Sequence, residues 1–291
     1  KFLPYIYTPS AVDRNLAASF EKIEHLVLAV FLQNTSRVEN ADAGGLPQQH
    51  SAEIFEKSAD ALANVAVQID PNDTVVRKYF TRLNDNGKII ESLAVAAARL
   101  YGSPYIDQIP VIDDDKRMYI NYFGLPGAYK RISAIDAYDG KITRADVEGK
   151  IILFGATSSV FNDLEHTPIA PKQQMPGVEI HANALQTILD GKFLTDAQTA
   201  AKAAIIFLIT TIAVGTFMYS SIRVSLAVFF LLWVAYYFGN KLAFGRGMIL
   251  DQIFPYFALI LSLISVYIYR FFTESKEKDF VRAAFGSYVS P

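Results

Sequence analysis

The densest group of side chains able to do chemistry lies between residues 162 and 181: Asn162, Asp163, Glu165, His166, Glu179 and His181. Two imidazoles and three carboxylates are ligand types that a divalent metal accepts. His181 also begins an amphipathic stretch, where a histidine serves equally as a hydrogen-bonding group at a core edge. Just upstream, Ile151–Ser159 reads IILFGATSS, an apolar run entering a turn rich in Gly and hydroxyl groups. The backbone N–H groups of such a turn can cradle an anion, and the same residues also suit a plain exit from a strand. The run lacks the Gly-Lys-Ser/Thr ending of a nucleotide loop, and the chain has no GxGxxG. No serine stands with a convincing His and Asp for acyl transfer, and the absence of cysteine removes thiolate catalysis, disulfides and Cys-ligated zinc. The candidate ligand-binding set is therefore Gly155, Thr157, Ser158, Asn162, Asp163, His166, Glu179 and His181, with no catalytic, metal or cofactor-binding residue assigned. Asp113-Asp114-Asp115-Lys116-Arg117 reads as a solvated turn before a strand.

Periodicity supplies the elements that must carry these groups. Ile151–Phe154 is expected to be a short buried strand and Ile180–Leu189 a helix with Ile180, Ala184, Leu185 and Ile188 on one face. Upstream, Ala11–Lys22 and Ser92–Tyr101 read as helices, and His25–Phe31, Ala63–Ile69 and Met118–Tyr122 as strands. Pro71-Asn72-Asp73, Asn84-Asp85-Asn86-Gly87 and Leu125-Pro126-Gly127 are turns, and residues 39–50 are expected to form a flexible loop. Helices alternating with strands indicate an α/β domain with a mixed sheet and flanking helices over residues 1–202.

Charge is distributed very unevenly. Of the 56 charged residues, 45 lie in residues 1–202, while residues 203–272 hold only Arg223, Lys241, Arg246, Asp251 and Arg270. That excludes a purely soluble enzyme, and 52% hydrophobic residues exclude a disordered chain. A formal charge of −2 leaves no footprint for nucleic acid. Three uncharged runs, Ala203–Tyr219, Val224–Asn240 and Gln252–Tyr269, each reach about 26 Å as helix and approach the hydrocarbon thickness with their flanks. Tyr219, Tyr236, Tyr237, Tyr267 and Tyr269 sit near their ends, where interfacial rings are favoured. Three membrane helices are expected at about 203–221, 224–242 and 248–272, followed by a coupling helix and linker over 273–291. The odd number puts the domain and the tail on opposite faces, and basic residues near span ends favour a cytoplasmic tail by five to four. Both chain ends read as cuts within a longer protein, since Lys1-Phe2-Leu3 opens without an initiator and the tail stops just after a charged helix.

Several stretches together resemble the type-two CHASE domain, a sensory module of bacterial cyclases and histidine kinases. GKIILFGATSSVFNDLEHTP is similar to that family's strand, Gly-Ala-Thr turn and Asp-x-x-x-Thr-Pro run. MPGVEIHANALQTILDGKFL is similar to its Pro-Gly-Val-Glu-Ile-His-Ala-Asn signature with the following helix and Gly-Lys/Arg-Phe. Ile120–Ile132 resembles an Ile-Asn-Tyr-x-Gly-x-x-Gly segment. Asp70–Arg77 resembles an Asp-x-Asp-Gly-x-x-Arg turn in which Thr74 replaces the usual Gly. The family's first strand and N-terminal span have no counterpart in these residues. Phe280–Pro291, FVRAAFGSYVSP, resembles the segment that joins such anchors to a class III adenylate or guanylate cyclase.

The resemblance implies a receptor portion: an extracytoplasmic sensor, a multi-pass anchor in the bacterial inner membrane and the start of a coupling helix. It implies membrane lipid and an unknown small-molecule or protein signal as partners, a homodimer as the assembly, and no cofactor in these residues. The cyclase would need a divalent metal and ATP. A histidine or Ser/Thr kinase receptor, or a structural membrane protein binding a periplasmic partner, is the alternative, and no motif supports a periplasmic enzyme.

Overall fold

In the computed structural model the described residues are 8–31, 51–85, 87–161 and 163–286. The expected 39–50 loop, Asn162 and the last residues of the tail lie outside them. The chain divides into two units, Lys1–Leu194 and Thr195–Pro291.

The first unit is mixed α/β. It opens with α1 (Ala11–Phe20), β1 (Val27–Val30), α2 (Glu53–Glu56) and β2 (Ala61–Asn64). Next come β3 (Gln68–Ile69), β4 (Val76–Phe80), β5 (Arg82–Asp85), β6 (Lys88–Glu91), α3 (Leu93–Tyr101) and β7 (Arg117–Tyr119). It closes with α4 (Ala134–Tyr138), α5 (Arg144–Val147), β8 (Leu164–Thr167), β9 (Ala170–Pro176) and α6 (Gly177–Asp190). The strands form several small sheets: β1 pairs β2 in parallel, β3-β4-β7 is antiparallel, and β5-β6 and β8-β9 are antiparallel pairs. The apolar faces of α3 and α6 pack with the central three-stranded sheet. Val76, Tyr79, Ala94, Val95, Ala98, Met118, Ile120, Met175, Ile180, Ala184, Leu185 and Ile188 form its buried core.

Three expected strands differ from the structure. Ala63–Ile69 is split between β2 and β3 by Val65–Val67. The strand expected over Met118–Tyr122 ends at Tyr119: Ile120 still donates to the Arg77 carbonyl of β4 at 3.0 Å, but the amides of Asn121 and Phe123 bond to side chains of α6 instead of a neighbouring strand. Ile151–Phe154 forms no strand at all. Ile151 packs against the core, whereas Ile152 is 62% and Phe154 92% exposed. An apolar run becomes a strand only when another backbone satisfies its N–H and C=O groups, and among the described residues none pairs with this one.

The turn before β4 shows what Thr74 costs at a position where glycine would fit. Asp70 Oδ1 accepts the Asn72 N–H at 2.9 Å, Asp73 Oδ1 accepts the Val75 N–H at 3.1 Å, and Asp73 also pairs with Arg77. This winding forces Thr74 to φ 60°, the left-handed region that glycine tolerates and a β-branched residue does not. Thr74→Gly should therefore raise the stability of this unit by about 1 kcal/mol, net of the larger chain entropy of glycine. Chemical denaturation of the two proteins side by side checks it, and a loss of stability would refute strain at this turn.

The second unit carries β10 (Thr195–Asp196), α7 (Thr199–Tyr219), α8 (Ile222–Gly245), β11 (Met248–Ile249) and α9 (Ile253–Gly286). Helices over 199–219, 222–245 and 253–273 hold 18-residue stretches with mean hydropathies of 1.9, 1.7 and 1.6, and are long and apolar enough to cross a membrane. At 21 residues the shortest spans about 31 Å. The third helix begins at Ile253, since Met248 and Ile249 pair in parallel with Thr195 and Asp196. Pro255 falls in its first turn, where the missing N–H would have no helical acceptor anyway. The helix then runs unbroken through Arg270 to Gly286, as the absence of Gly and Pro between predicts.

Candidate functional site

The first turn of α6 gathers three of the expected site residues. Gly177 donates its N–H to the Asp163 carbonyl at 2.9 Å, and a Cβ on Gly177 would collide with the Asp163 carboxylate. Burial holds the Asp163 carboxyl above the usual range. Gly155 lies against the next residue: a Cβ there would stand 2.7 Å from Val178 Cβ. Both glycines thus permit close approach of chain to helix. Glu179, the third, is 4% exposed.

Glu179 belongs to a stripe on α6 that sequence reasoning missed. Glu179, Asn183 and Thr187 are four residues apart, so they share one helix face. All three are buried, and each receives one backbone amide from the segment after β7. Thr187 Oγ1 accepts Asn121 N–H at 3.1 Å, Asn183 Oδ1 accepts Phe123 N–H at 2.8 Å, and Glu179 Oε2 accepts Gly127 N–H at 2.9 Å. The Arg131 guanidinium then meets Glu179 Oε1 at 2.7 Å. Asn183 closes its own account by donating to the Glu179 carbonyl at 2.7 Å. The spacing of Glu, Asn and Thr at i, i+4 and i+8 was the signal available in the sequence.

His181 points into a different network. Tyr79 Oη is 2.6 Å from His181 Nδ1 and accepts the Ala94 N–H at 3.2 Å, so its own proton goes to the imidazole. His181 also makes a backbone hydrogen bond with Val65. Burial pushes the imidazole down to about 4 and holds it neutral, and burial likewise raises the Tyr79 hydroxyl above its ordinary value. One polar chain thereby joins β4, α3, α6 and the β2–β3 connection.

The remaining candidates are dispersed. Thr157 and Ser158 are exposed, and Ser158 starts a single turn of 3-10 helix, Ser159–Phe161. His166 is half-buried in β8, where it bridges Val75. The divalent-metal reading of this group fails: among the described residues no three His, Asp or Glu side chains are placed to hold an ion, because Glu179 and His181 face separate buried networks. Asp113 is no free solvated carboxylate either. It pairs with Arg117 at 2.8 Å and Lys78 at 3.3 Å, which outweigh its burial and lower its carboxyl. A cleft of about 200 Å³ opens at the other end of α6, lined by Asn121, Tyr122, Phe123, Gln186, Thr187, Asp190 and Lys192, none of them in the expected set.

Comparison with known proteins gives the arrangement a family. The model of the CHASE2 domain matches residues 4–217, through the first unit and most of α7. Nothing among curated proteins or solved structures matches the chain. With the signature helix α6, the stripe that anchors the following segment and nearly three quarters of its length inside that match, the chain belongs to the CHASE2 family of extracytoplasmic sensor domains of signalling proteins.

Proposed function

We propose that this chain is the sensor and anchor of a bacterial inner-membrane receptor whose output is a class III adenylate or guanylate cyclase. The observation that carries the reading is α9. It continues without a break from the third apolar segment, which ends at Thr273, to Gly286. A stiff helix crossing the membrane boundary is what a sensor needs in order to move something on the far side. The resemblance of Phe280–Pro291 to a cyclase-joining segment supports the choice of output. Class III cyclase sites form between two catalytic domains, which makes a symmetric homodimer the assembly proposed here. The signal biases the output through its unequal affinity for two arrangements of that dimer. In this reading the exposed Thr157 and Ser158 are the groups open to a ligand, while Asp163, Glu179 and His181 hold the fold on which they sit. The catalytic metal and ATP belong to the output domain.

The coding sequence after Pro291 tests the output. The metal-binding aspartates of a class III cyclase are expected there, and a histidine-bearing dimerisation helix would transfer the reading to a kinase. Topology is tested separately, and the cysteine-free chain leaves no labelling background. In intact cells a membrane-impermeant maleimide should label Gln173→Cys and spare Lys276→Cys, both exposed positions. The opposite pattern would place the domain inside and end the receptor reading.

A further inference from the structure

The second unit is fastened at both ends. At one end, β10 lies parallel to β11, Thr195 donates to the Gly247 carbonyl at 2.8 Å and Ala197 to the Ile249 carbonyl at 3.0 Å. Lys202, in the first turn of α7, meets Asp251 at 3.2 Å, and Tyr236 donates to the Asp251 carbonyl. Asp251 is the one carboxylate in residues 203–273. At the other end, Arg270 of α9 reaches the last turn of α7. Its Nη1 donates to the Phe217 carbonyl at 3.1 Å and the Ser220 carbonyl at 2.7 Å, and its guanidinium lies 5.4 Å from the Tyr267 ring centroid. The final carbonyls of a helix have no partner within it and carry its partial negative charge, so a guanidinium satisfies both needs. Between the two ends, Ala213 and Phe217 of α7 and Leu259 and Val266 of α9 form the buried centre of the apolar packing, and half-buried Val228, Phe229 and Leu232 of α8 pack against it.

We propose that Arg270 is a positioning residue that locks α7 and α9 into one body, so that displacement of the chain where it enters the second unit, at Thr195, reaches the tail helix undamped. The direction of transfer, from Thr195 to the tail, rests on the receptor reading above; the lock itself does not. Two carbonyl contacts from one cation fix the angle between the helices as well as their distance, which apolar contacts alone leave free to slide.

The test uses the whole chain in lipid nanodiscs, with nitroxide labels at Tyr219→Cys and Phe271→Cys, both exposed to lipid or water. Pulsed dipolar spectroscopy should give a narrow distance distribution. Arg270→Ala should make it roughly twice as wide, and Arg270→Lys, which keeps a cation at the carbonyls, should keep it narrow. Should the Ala variant fail to insert, Arg270→Gln takes its place and the same widening is expected. An unchanged width without the cation, or a Lys variant as wide as the Ala variant, overturns the lock. Either result leaves the maleimide test of topology untouched, so failure of the lock and failure of the receptor reading are separable.

Discussion

Acidification from pH 6.5 to about 4 should remove about 3 kcal/mol of stability from the first unit through His181 alone. The sign follows from the direction of the shift. In the unfolded chain the imidazole takes up its proton near pH 6.5, while in the fold it stays neutral down to about 4. Between those values the unfolded state binds more protons, so stability falls with falling pH. Above the window both states are neutral and the side chain contributes no pH dependence. Protonation in the fold would also place two donors at a nitrogen that now accepts from Tyr79. Denaturant unfolding of the chain across this window, compared with His181→Gln, isolates the effect, because carboxylate titrations are common to both. The variant should start lower, having lost its bond to Tyr79, and then vary less steeply. Equal slopes in the two proteins would show that His181 is not the group being titrated.

Arg131→Met should lower the stability of the same unit by about 3 kcal/mol, or about 6–12 °C in melting temperature. The reason is the asymmetry of the pair. Arg131 is 46% exposed at its side chain and water can solvate it, whereas Glu179 is 5% exposed. Removing the cation leaves a buried carboxylate with only the Gly127 N–H, which is the costly way to break an ion pair. Methionine keeps the aliphatic packing of the arginine stem, so the change is electrostatic. The double variant Arg131→Met with Glu179→Gln should recover part of the loss, since no buried charge is stranded. Calorimetric melting of the three proteins decides it, and a single variant that melts with the wild type would show Glu179 to be solvated.

Much of this architecture is legible in the sequence. The α6 stretch is legible because Ile180, Ala184, Leu185 and Ile188 recur at helical spacing, and the three apolar helices are legible because long uncharged runs have few other uses. Periodicity does not, however, report backbone partners. Ile151–Phe154 has the composition of a buried strand but no neighbour among the described residues, so half of its apolar side chains face outward. The candidate site suffered from a related gap. Glu179 and His181 stand two apart and read as one polar group, yet on a helix that separation turns them about 200° apart, toward different neighbours. The residues that actually stitch the segment after β7 were passed over because Asn and Thr announce no chemistry; only their four-residue spacing marks them.

Arg270 divides α9 into seventeen residues before it and sixteen after, two arms of about 25 Å each. Because Arg270 ties α9 to α7, the two helices turn as one body, and the sixteen residues beyond it form a free lever. A tilt of that body by about 5° carries the tip of the tail sideways by about 2 Å over an arm of that length. Shortening the tail by one turn would reduce the stroke by about a fifth.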